Sequence, residues 1–327
     1  MTTIFIATRG SALALAQSNM ILAKCRAAFP DQAFDLKIIK TTGDKLQTAS
    51  LAKTQEAESL PKGLFTKELE VALLEKSADL AVHSLKDLPT ELPTGLKLGA
   101  VGGTRENVRD VLIYRDLART TPSHRGFKSG LAVKDLPPGA VVATSSTRRK
   151  AQLLAQNPGL KTPDIRGNVL TRMQKLMDNA ELDDTVLALA GITRLGYRIS
   201  PDGKLTGPDV PEGLLATILE PEVMLPCVGQ GAIGIEIREK DERLEAICAK
   251  LNDLNTLQCV IAERAFLSGM GGGCQSPVGA YAEVAGDEIR MRVVSFMGEK
   301  VRHAEGKRDL KEAAELGKQL AGEVKAG

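Results

Sequence analysis

The chain has no tryptophan, only three tyrosines and seven phenylalanines, so aromatics make up 3% of its 327 positions. That is too few for the aromatic platforms on which single-stranded nucleic acid stacks. Its five cysteines are odd in number and scattered, with no CxxC spacing, which excludes a disulfide framework and gives no metal pattern. Neither sign of charge dominates, Lys+Arg being 43 against Asp+Glu 41, so net charge carries no signal for nucleic acid. No run of about 18 apolar residues could cross a bilayer, and no basic start with an apolar stretch opens the chain. A reducing, cytoplasmic location with no membrane partner is the expectation. What is present is ordinary for a globular protein, 43% hydrophobic and 26% charged. The length suits two or three domains of roughly 100–200 residues.

Residues 4–7 form a short apolar strand, and Thr8-Arg9-Gly10-Ser11 turns it into a helix with helical spacing from Leu13 to Ala23. A strand that ends in a Gly/Ser turn and opens a helix offers backbone N–H groups to an anion. Arg9 and Ser11 stand at that point, although a helix cap plus a surface arginine would look the same. A second strand is expected over 34–41, a long lid-like or disordered loop over 42–62, a helix over 66–76 and a strand over 79–84. Strand–helix alternation predicts a parallel sheet with its ligand site beyond the strand ends, where Lys86 and Asp87 fall. A second alternating unit runs from Asp110: strands over 110–115, 140–144, 164–166 and 185–190, helices over 146–156 and 168–179, and a short helix near Thr193. Residues 201–211 read as an insertion, and a strand over 229–238 returns to the first sheet. Two α/β lobes joined by crossing strands leave a cleft. The last part differs in kind: a helix over 254–267, antiparallel strands over 278–283, 288–296 and 300–304, and a helix over 311–325.

Arginine concentrates at element ends in the second lobe. Ser146, Arg148 and Arg149 lie where strand gives way to helix, Arg166 and Gly167 at the next junction, Arg172 one turn into the following helix, and Arg194 after the strand over 185–190. The planar guanidinium grips carboxylate or phosphate with two N–H groups at once, so this reads as a polyanion site. A solvated basic face is the bland alternative. Asp87, beside Lys86 at the cleft, is a lone carboxylate among cations. Acid–base work or stabilisation of a cationic intermediate is its natural use, and a turn aspartate before Pro89 is the alternative. His83 reads as a packed, hydrogen-bonded histidine. Cys25, Cys248 and Cys259 read as core residues, and Cys227 as structural. Cys274 stands apart, in the loop Gly271-Gly272-Gly273-Cys274-Gln275-Ser276-Pro277. Three glycines leave the thiol unscreened, unless they only cap the preceding helix.

Together these stretches resemble the porphobilinogen deaminase family, also called hydroxymethylbilane synthase. The resemblance rests on Thr8-Arg9-Gly10-Ser11, Lys62-Gly63-Leu64-Phe65 with Lys67-Glu68-Leu69-Glu70, and Ala81-Val82-His83-Ser84-Leu85-Lys86-Asp87. It continues through Thr144-Ser145-Ser146-Thr147-Arg148-Arg149, Arg166-Gly167-Asn168, Leu225-Pro226-Cys227-Val228-Gly229-Gln230-Gly231 and Gly272-Gly273-Cys274-Gln275-Ser276-Pro277-Val278-Gly279, in the family's order over nearly the whole chain. It implies a transferase of tetrapyrrole biosynthesis. Four porphobilinogen molecules are condensed head to tail onto a dipyrromethane primer, releasing ammonia and then linear hydroxymethylbilane. The resemblance makes Cys274 the residue that holds the primer by a thioether, an anchor kept throughout, and Asp87 the catalytic carboxylate. It assigns Lys86, Asp87, Ser146, Arg148, Arg149, Gly167 and Arg172 to the cofactor, and Arg9, Ser11, Phe65, Arg149, Arg166, Arg194 and Gln230 to the substrate. It implies no metal and no nucleic acid, and a monomer is expected.

The fold implied is α/β, with two lobes of the kind seen in periplasmic solute-binding proteins enclosing a cleft and a smaller C-terminal α+β domain with a three-stranded antiparallel sheet. Expected boundaries are 1–104 with 230–252, 105–229, and 253–327. The chain departs from the family pattern over 54–61, where Glu56 and Glu58 stand in the active-site loop, at Pro163 and Asp164, and in the insertion 201–211. A non-catalytic two-lobed anion binder would explain the arginines but not Asp87 together with the cysteine loop. A thiol acyltransferase would need a base histidine that the sequence does not position.

Overall fold

A computed structural model describes residues 2–43, 65–120, 124–273 and 275–326. In chain order the strands are β1 (Ile4–Arg9), β2 (Phe34–Ile39), β3 (Leu80–Ser84), β4 (Leu96–Val101), β5 (Asp110–Arg115), β6 (Val142–Ala143), β7 (Asp184–Ala188), β8 (Arg198–Ile199), β9 (Leu205–Thr206), β10 (Leu214–Leu219), β11 (Ile233–Arg238), β12 (Val278–Ala285), β13 (Glu288–Ser295) and β14 (Arg302–Asp309). The helices are α1 (Ala12–Ala28), α2 (Lys67–Leu74), α3 (Thr147–Gln156), α4 (Val169–Asp178), α5 (Leu189–Arg194), α6 (Glu242–Leu251), α7 (Leu254–Gly269) and α8 (Ala313–Ala326).

The first sheet runs β2-β1-β3-β11-β4, with β1 parallel to β2 and β3, and β11 antiparallel to β3 and β4. Strand alternation sends Ile4 and Ile6 to the face where α1 contributes Ile21 and Cys25 and α6 contributes Leu244 and Cys248. Ala7 and Ala81 face the other way, against Leu69 and Leu73 of α2. The second sheet runs β10-β5-β7-β6, and every residue of its central strand β5 is buried. Leu112 and Tyr114 pack with Leu153 of α3, while Val111 and Ile113 pack with Met173 and Leu176 of α4 and Ile192 of α5. Helices on both faces of each sheet give the two α/β lobes. The third part is the antiparallel sheet β12-β13-β14, covered by α7 and α8. Those two helices pack so closely at Gly317 that a Cβ there would sit 2.1 Å from the Ala262 carbonyl oxygen.

The chain crosses between the lobes twice. The segment 102–109 leaves the first sheet, the segment 220–232 returns to it, and the Glu106 amide donates to the Gly231 carbonyl at 3.0 Å. Gly231 has φ +83°, and a Cβ on it would stand 2.3 Å from the Glu106 oxygen, so only glycine allows this crossing. Among the described residues no helix is long and apolar enough to cross a membrane.

Several expectations need correction. Residues 164–166 form no strand: after Pro163 gives its carbonyl to the Thr144 amide, Ser145 Oγ takes over both the amide and the carbonyl of Ile165. The returning strand starts at Ile233 rather than 229, because Gly229 and Gly231 lie in the left-handed region. Strands β4 and β10 and helix α6 were not anticipated. The insertion 201–211 contains β9, which pairs with β8 in a small hairpin, and Leu205 of β9 is buried against Tyr197. The expected loop over 42–62 lies outside the described residues apart from Thr42 and Gly43.

Candidate active site

Strand β3 ends in a single 3-10 turn, Leu85–Asp87, which leaves Lys86 half-buried and Asp87 exposed. The stretch just beyond is held from the third part. Arg264 of α7 donates to the carbonyls of Leu88, Pro89 and Thr90 at 3.2, 2.6 and 3.0 Å. Behind the turn, His83 is buried against Glu236 at 2.9 Å, the packed histidine that the sequence suggests. Burial lowers the Lys86 ammonium from its ordinary pKa. Asp87 opposes that shift, and Arg149 adds to it.

Helix α3 begins directly after β6, with Ser146 as its cap, accepting from the Arg149 amide. Arg148 and Arg149 follow in its first turn, and both are buried. Their charges are met by Asp110, the first residue of β5, which is fully buried. Asp110 Oδ2 accepts from Arg148 Nη2 at 2.8 Å, and Oδ1 accepts from Arg149 Nη2 at 2.7 Å and from Gln230 Nε2 at 2.9 Å. Burial alone would raise the Asp110 carboxyl, but the two guanidiniums hold it well below the usual carboxylate range. Backbone carbonyls take the far sides: Arg148 Nη1 donates to Leu225 at 2.6 Å and Arg149 Nη1 to Val186 at 2.9 Å. Each guanidinium keeps a buried Nε with no hydrogen-bond partner among the described residues.

Arg172, one turn into α4, donates from Nε to the Gly167 carbonyl at 2.8 Å. Its pKa falls to about 10, first through burial and then through Arg149, with Asp87 opposing, so it belongs to the same cluster. Gly167 has φ +120°, and a Cβ there would meet Thr171 at 2.7 Å, so the turn into α4 needs glycine. Arg194 closes α5 and donates to the Gly231 carbonyl at 2.6 Å. Its buried Nε also has no partner among the described residues.

On the first lobe, Ser11 caps α1, accepting from the Ala14 amide at 3.3 Å, and the Arg9 guanidinium sits 4.2 Å from the centre of the Phe65 ring. The start of α1 abuts α5 across the cleft: a Cβ on Gly191 would lie 3.6 Å from Leu13 Cδ2. Arg166 does not join the cluster. It is exposed, and among the described residues only its carbonyl is engaged, by Lys175 Nζ at 3.0 Å. Asp164 forms an ion pair with Lys150 at 2.5 Å.

Cys274 lies outside the described residues, as do Lys62, Gly63 and Leu64. The residues flanking Cys274 are placed. Gly273 and Ser276 line one pocket with Lys86, Ser146, Arg148 and Cys227. Thr147 Oγ1 donates to the Gln275 carbonyl at 2.6 Å, fixing that end of the loop to α3. The loop thus meets the cationic cluster. Cys227, expected to be structural, is half-buried in this pocket, and burial raises its thiol against the lowering pull of Arg148 and Lys86.

Two groups at the site were missed from sequence. Asp110 carried a usable signal, since an acidic residue heading the apolar run 111–114 must find buried partners. Arg264, inside a helix whose residues pack into two different clusters, carried none. Lys86, Arg148, Arg149 and Arg172 outnumber Asp87 and Asp110. The surplus charge and the partnerless guanidinium Nε atoms fit a ligand bearing several carboxylates, such as a dipyrromethane with its acetate and propionate arms.

Comparison with known proteins agrees with this chemistry. The family described as porphobilinogen deaminase, dipyromethane cofactor binding domain, matches residues 4–246, and porphobilinogen deaminase, C-terminal domain, matches residues 257–326. A porphobilinogen deaminase of Thermus thermophilus is 42% identical over 327 residues, 99% of this chain and 96% of that protein. One of Desulforamulus reducens is 40% identical over 325 residues, 99% of this chain and 94% of that protein. One of Maridesulfovibrio salexigens is 42% identical over 328 residues, 100% of this chain and 96% of that protein. Matched from the first sheet to the last helix, the chain belongs to the porphobilinogen deaminase family.

Proposed function

We propose that this chain performs the family's reaction with Asp87 as the catalytic carboxylate and the cluster of Lys86, Arg148, Arg149 and Arg172 as the carboxylate grip. Such an enzyme is a transferase of the hydroxymethylbilane synthase type, acting on porphobilinogen. The observation that carries this assignment is the convergence of those four cations beside Asp87, with buried guanidinium donors left over. Asp87 is exposed to the cleft and can accept a hydrogen bond from a pyrrole N–H. Held there, the carboxylate stabilises the positive charge that develops as ammonia departs from the substrate's aminomethyl carbon. That carbon is then attacked by a pyrrole α-carbon, a C–C bond forms, and the α-proton is released. When bound, the dipyrromethane cofactor supplies the pyrrole chain on which the product is built.

Cys274 is the proposed attachment point, supported by the flanking Gly273 and Ser276 in the pocket with Lys86 and Arg148. Ser146 and Gly167 shape the helix starts from which the arginines project, so their proposed service to the cofactor is indirect. Arg9, Ser11 and Arg194 are proposed to hold substrate carboxylates from the two walls, with Phe65 lining the cleft beneath Arg9 and Arg166 reaching in from the rim. Gln230 belongs to the floor, its amide turned onto Asp110 and Val108. The three parts are proposed to divide at 1–104 with 230–252, 105–229 and 253–327, which the sheet memberships support. A cytoplasmic monomer without nucleic-acid partners completes the proposal.

Intact-mass measurement of the purified chain tests it. Wild type is expected to carry the added mass of a dipyrrole and to consume porphobilinogen, and Cys274→Ser to do neither. An active wild type of unmodified mass would end the assignment.

A further inference from the structure

We propose that Asp110 is a positioning residue for the carboxylate grip, resting on the reading above: it converges Arg148 and Arg149 on one point and holds them there. Neighbouring residues on a helix project about 100° apart and do not face each other. Yet both guanidiniums end on the two oxygens of a single carboxylate, at 2.8 and 2.7 Å. Each is also pinned at its far Nη, to the Leu225 and Val186 carbonyls. A planar guanidinium fixed at both Nη atoms has no freedom left, so Asp110, together with one carbonyl for each arginine, sets the orientation of the remaining Nε.

Asp110 does this from the mouth of the lobe crossing. It heads β5 where the segment 102–109 enters the second lobe, and Gln230 reaches it from the returning segment at 2.9 Å. Gln230 is itself held by the Val108 carbonyl at 2.6 Å. The carboxylate therefore registers both crossing segments against the arginines. Its charge leaves the cluster less cationic, but charge balance alone would not require two oxygens shared among three donors. An asparagine offers one oxygen and two N–H groups, so at least one of those three donors must then face an N–H.

The test uses holoenzyme. Asp110→Asn is expected to raise KM for porphobilinogen at least about tenfold while kcat stays within about threefold, the pattern of lost ground-state grip. Intact mass should show the fraction of chain carrying cofactor falling by about half or more, a readout independent of turnover. Asp184→Asn, a buried carboxylate of the same sheet with no contact to the arginines, controls for damage to the lobe and should leave both readouts as in wild type. Asp110→Glu keeps the charge but shifts it by about one methylene, and geometry this tight should keep KM raised. It also serves should Asp110→Asn not fold. Wild-type KM and cofactor content in Asp110→Asn, or wild-type KM in Asp110→Glu, overturns the inference. A wild type that consumes no porphobilinogen overturns instead the reading on which it rests.

Discussion

Replacing Glu263 with glutamine should loosen all three parts of the molecule at once. Glu263 is fully buried on α7, and its carboxylate accepts four hydrogen bonds. Arg105 gives two, at 2.7 and 2.9 Å from the first crossing segment. The Gly229 amide gives one at 2.8 Å from the second, and the Ala282 amide one at 2.9 Å from β12. A glutamine keeps the shape but offers one acceptor where there were two, and turns an N–H toward groups that can only donate. Arg105, whose guanidinium is itself nearly buried, loses its counter-ion. Breaking a buried pair in this way costs about 3–5 kcal/mol. At roughly 2.1 cal/mol/K per residue, 327 residues unfolding as one unit have an entropy near 0.7 kcal/mol/K, so the melting temperature should fall by about 4–7 °C.

Differential scanning calorimetry near pH 7 measures the loss, and a shift below about 1 °C would refute the reasoning. A second variant separates charge from connectivity. Where two buried charges satisfy only each other, an apolar pair of similar volume can replace them without loss. Here Arg105→Met with Glu263→Met also strips the acceptor from the Gly229 and Ala282 amides, each costing about 1–3 kcal/mol if left bare. The double variant should therefore remain less stable than wild type, and recovery to wild-type stability would show that the two amides do not depend on Glu263.

Three further outcomes are expected. Asp87→Asn should fold and retain its cofactor while ammonia release falls by about 10²–10⁴-fold, and a kcat within threefold of wild type would remove Asp87 from the mechanism. Arg9→Leu takes a cation from the cleft wall and from the face of Phe65, 4.2 Å away, and should raise KM by about 3–30-fold with little change in kcat; an unchanged KM would place Arg9 outside the substrate site. Asp184 is buried, its carboxyl held well above the usual range by burial and by Asp183 against the pull of Arg115 and Arg125, and its oxygens have no hydrogen-bond partner among the described residues. The folded chain thus keeps a proton that the unfolded chain gives up above about pH 4, so this group costs stability increasingly as pH rises. Asp184→Asn should match wild type in thermal melts near pH 4 and exceed it toward neutrality, and a pH-independent difference would contradict the assignment.

The patterns that survive in one dimension were legible. Strands β1, β3 and β7 are short, largely apolar runs, so Arg9, Asp87 and Arg194 could be placed at or beyond strand ends from spacing alone. Strand β4 escaped because Gly99 interrupts its pattern, and the reason lies elsewhere in the chain: a Cβ at Gly99 would stand 2.8 Å from Cys248 Sγ of α6. Asp110 escaped for the same kind of reason, since its partners are 38, 39 and 120 residues further along. Residue type and local spacing say that a site is basic; they do not say which charges are already answered within the fold. Counting arginines from sequence overstates the free charge, because Arg148 and Arg149 each spend one Nη on Asp110 and the other on a carbonyl. The polyanion reading survives that correction because the two Nε atoms have no partner among the described residues and the four cations outnumber Asp110 and Asp87. It is this remainder, and not the arginine count, that a chain of ring carboxylates would meet.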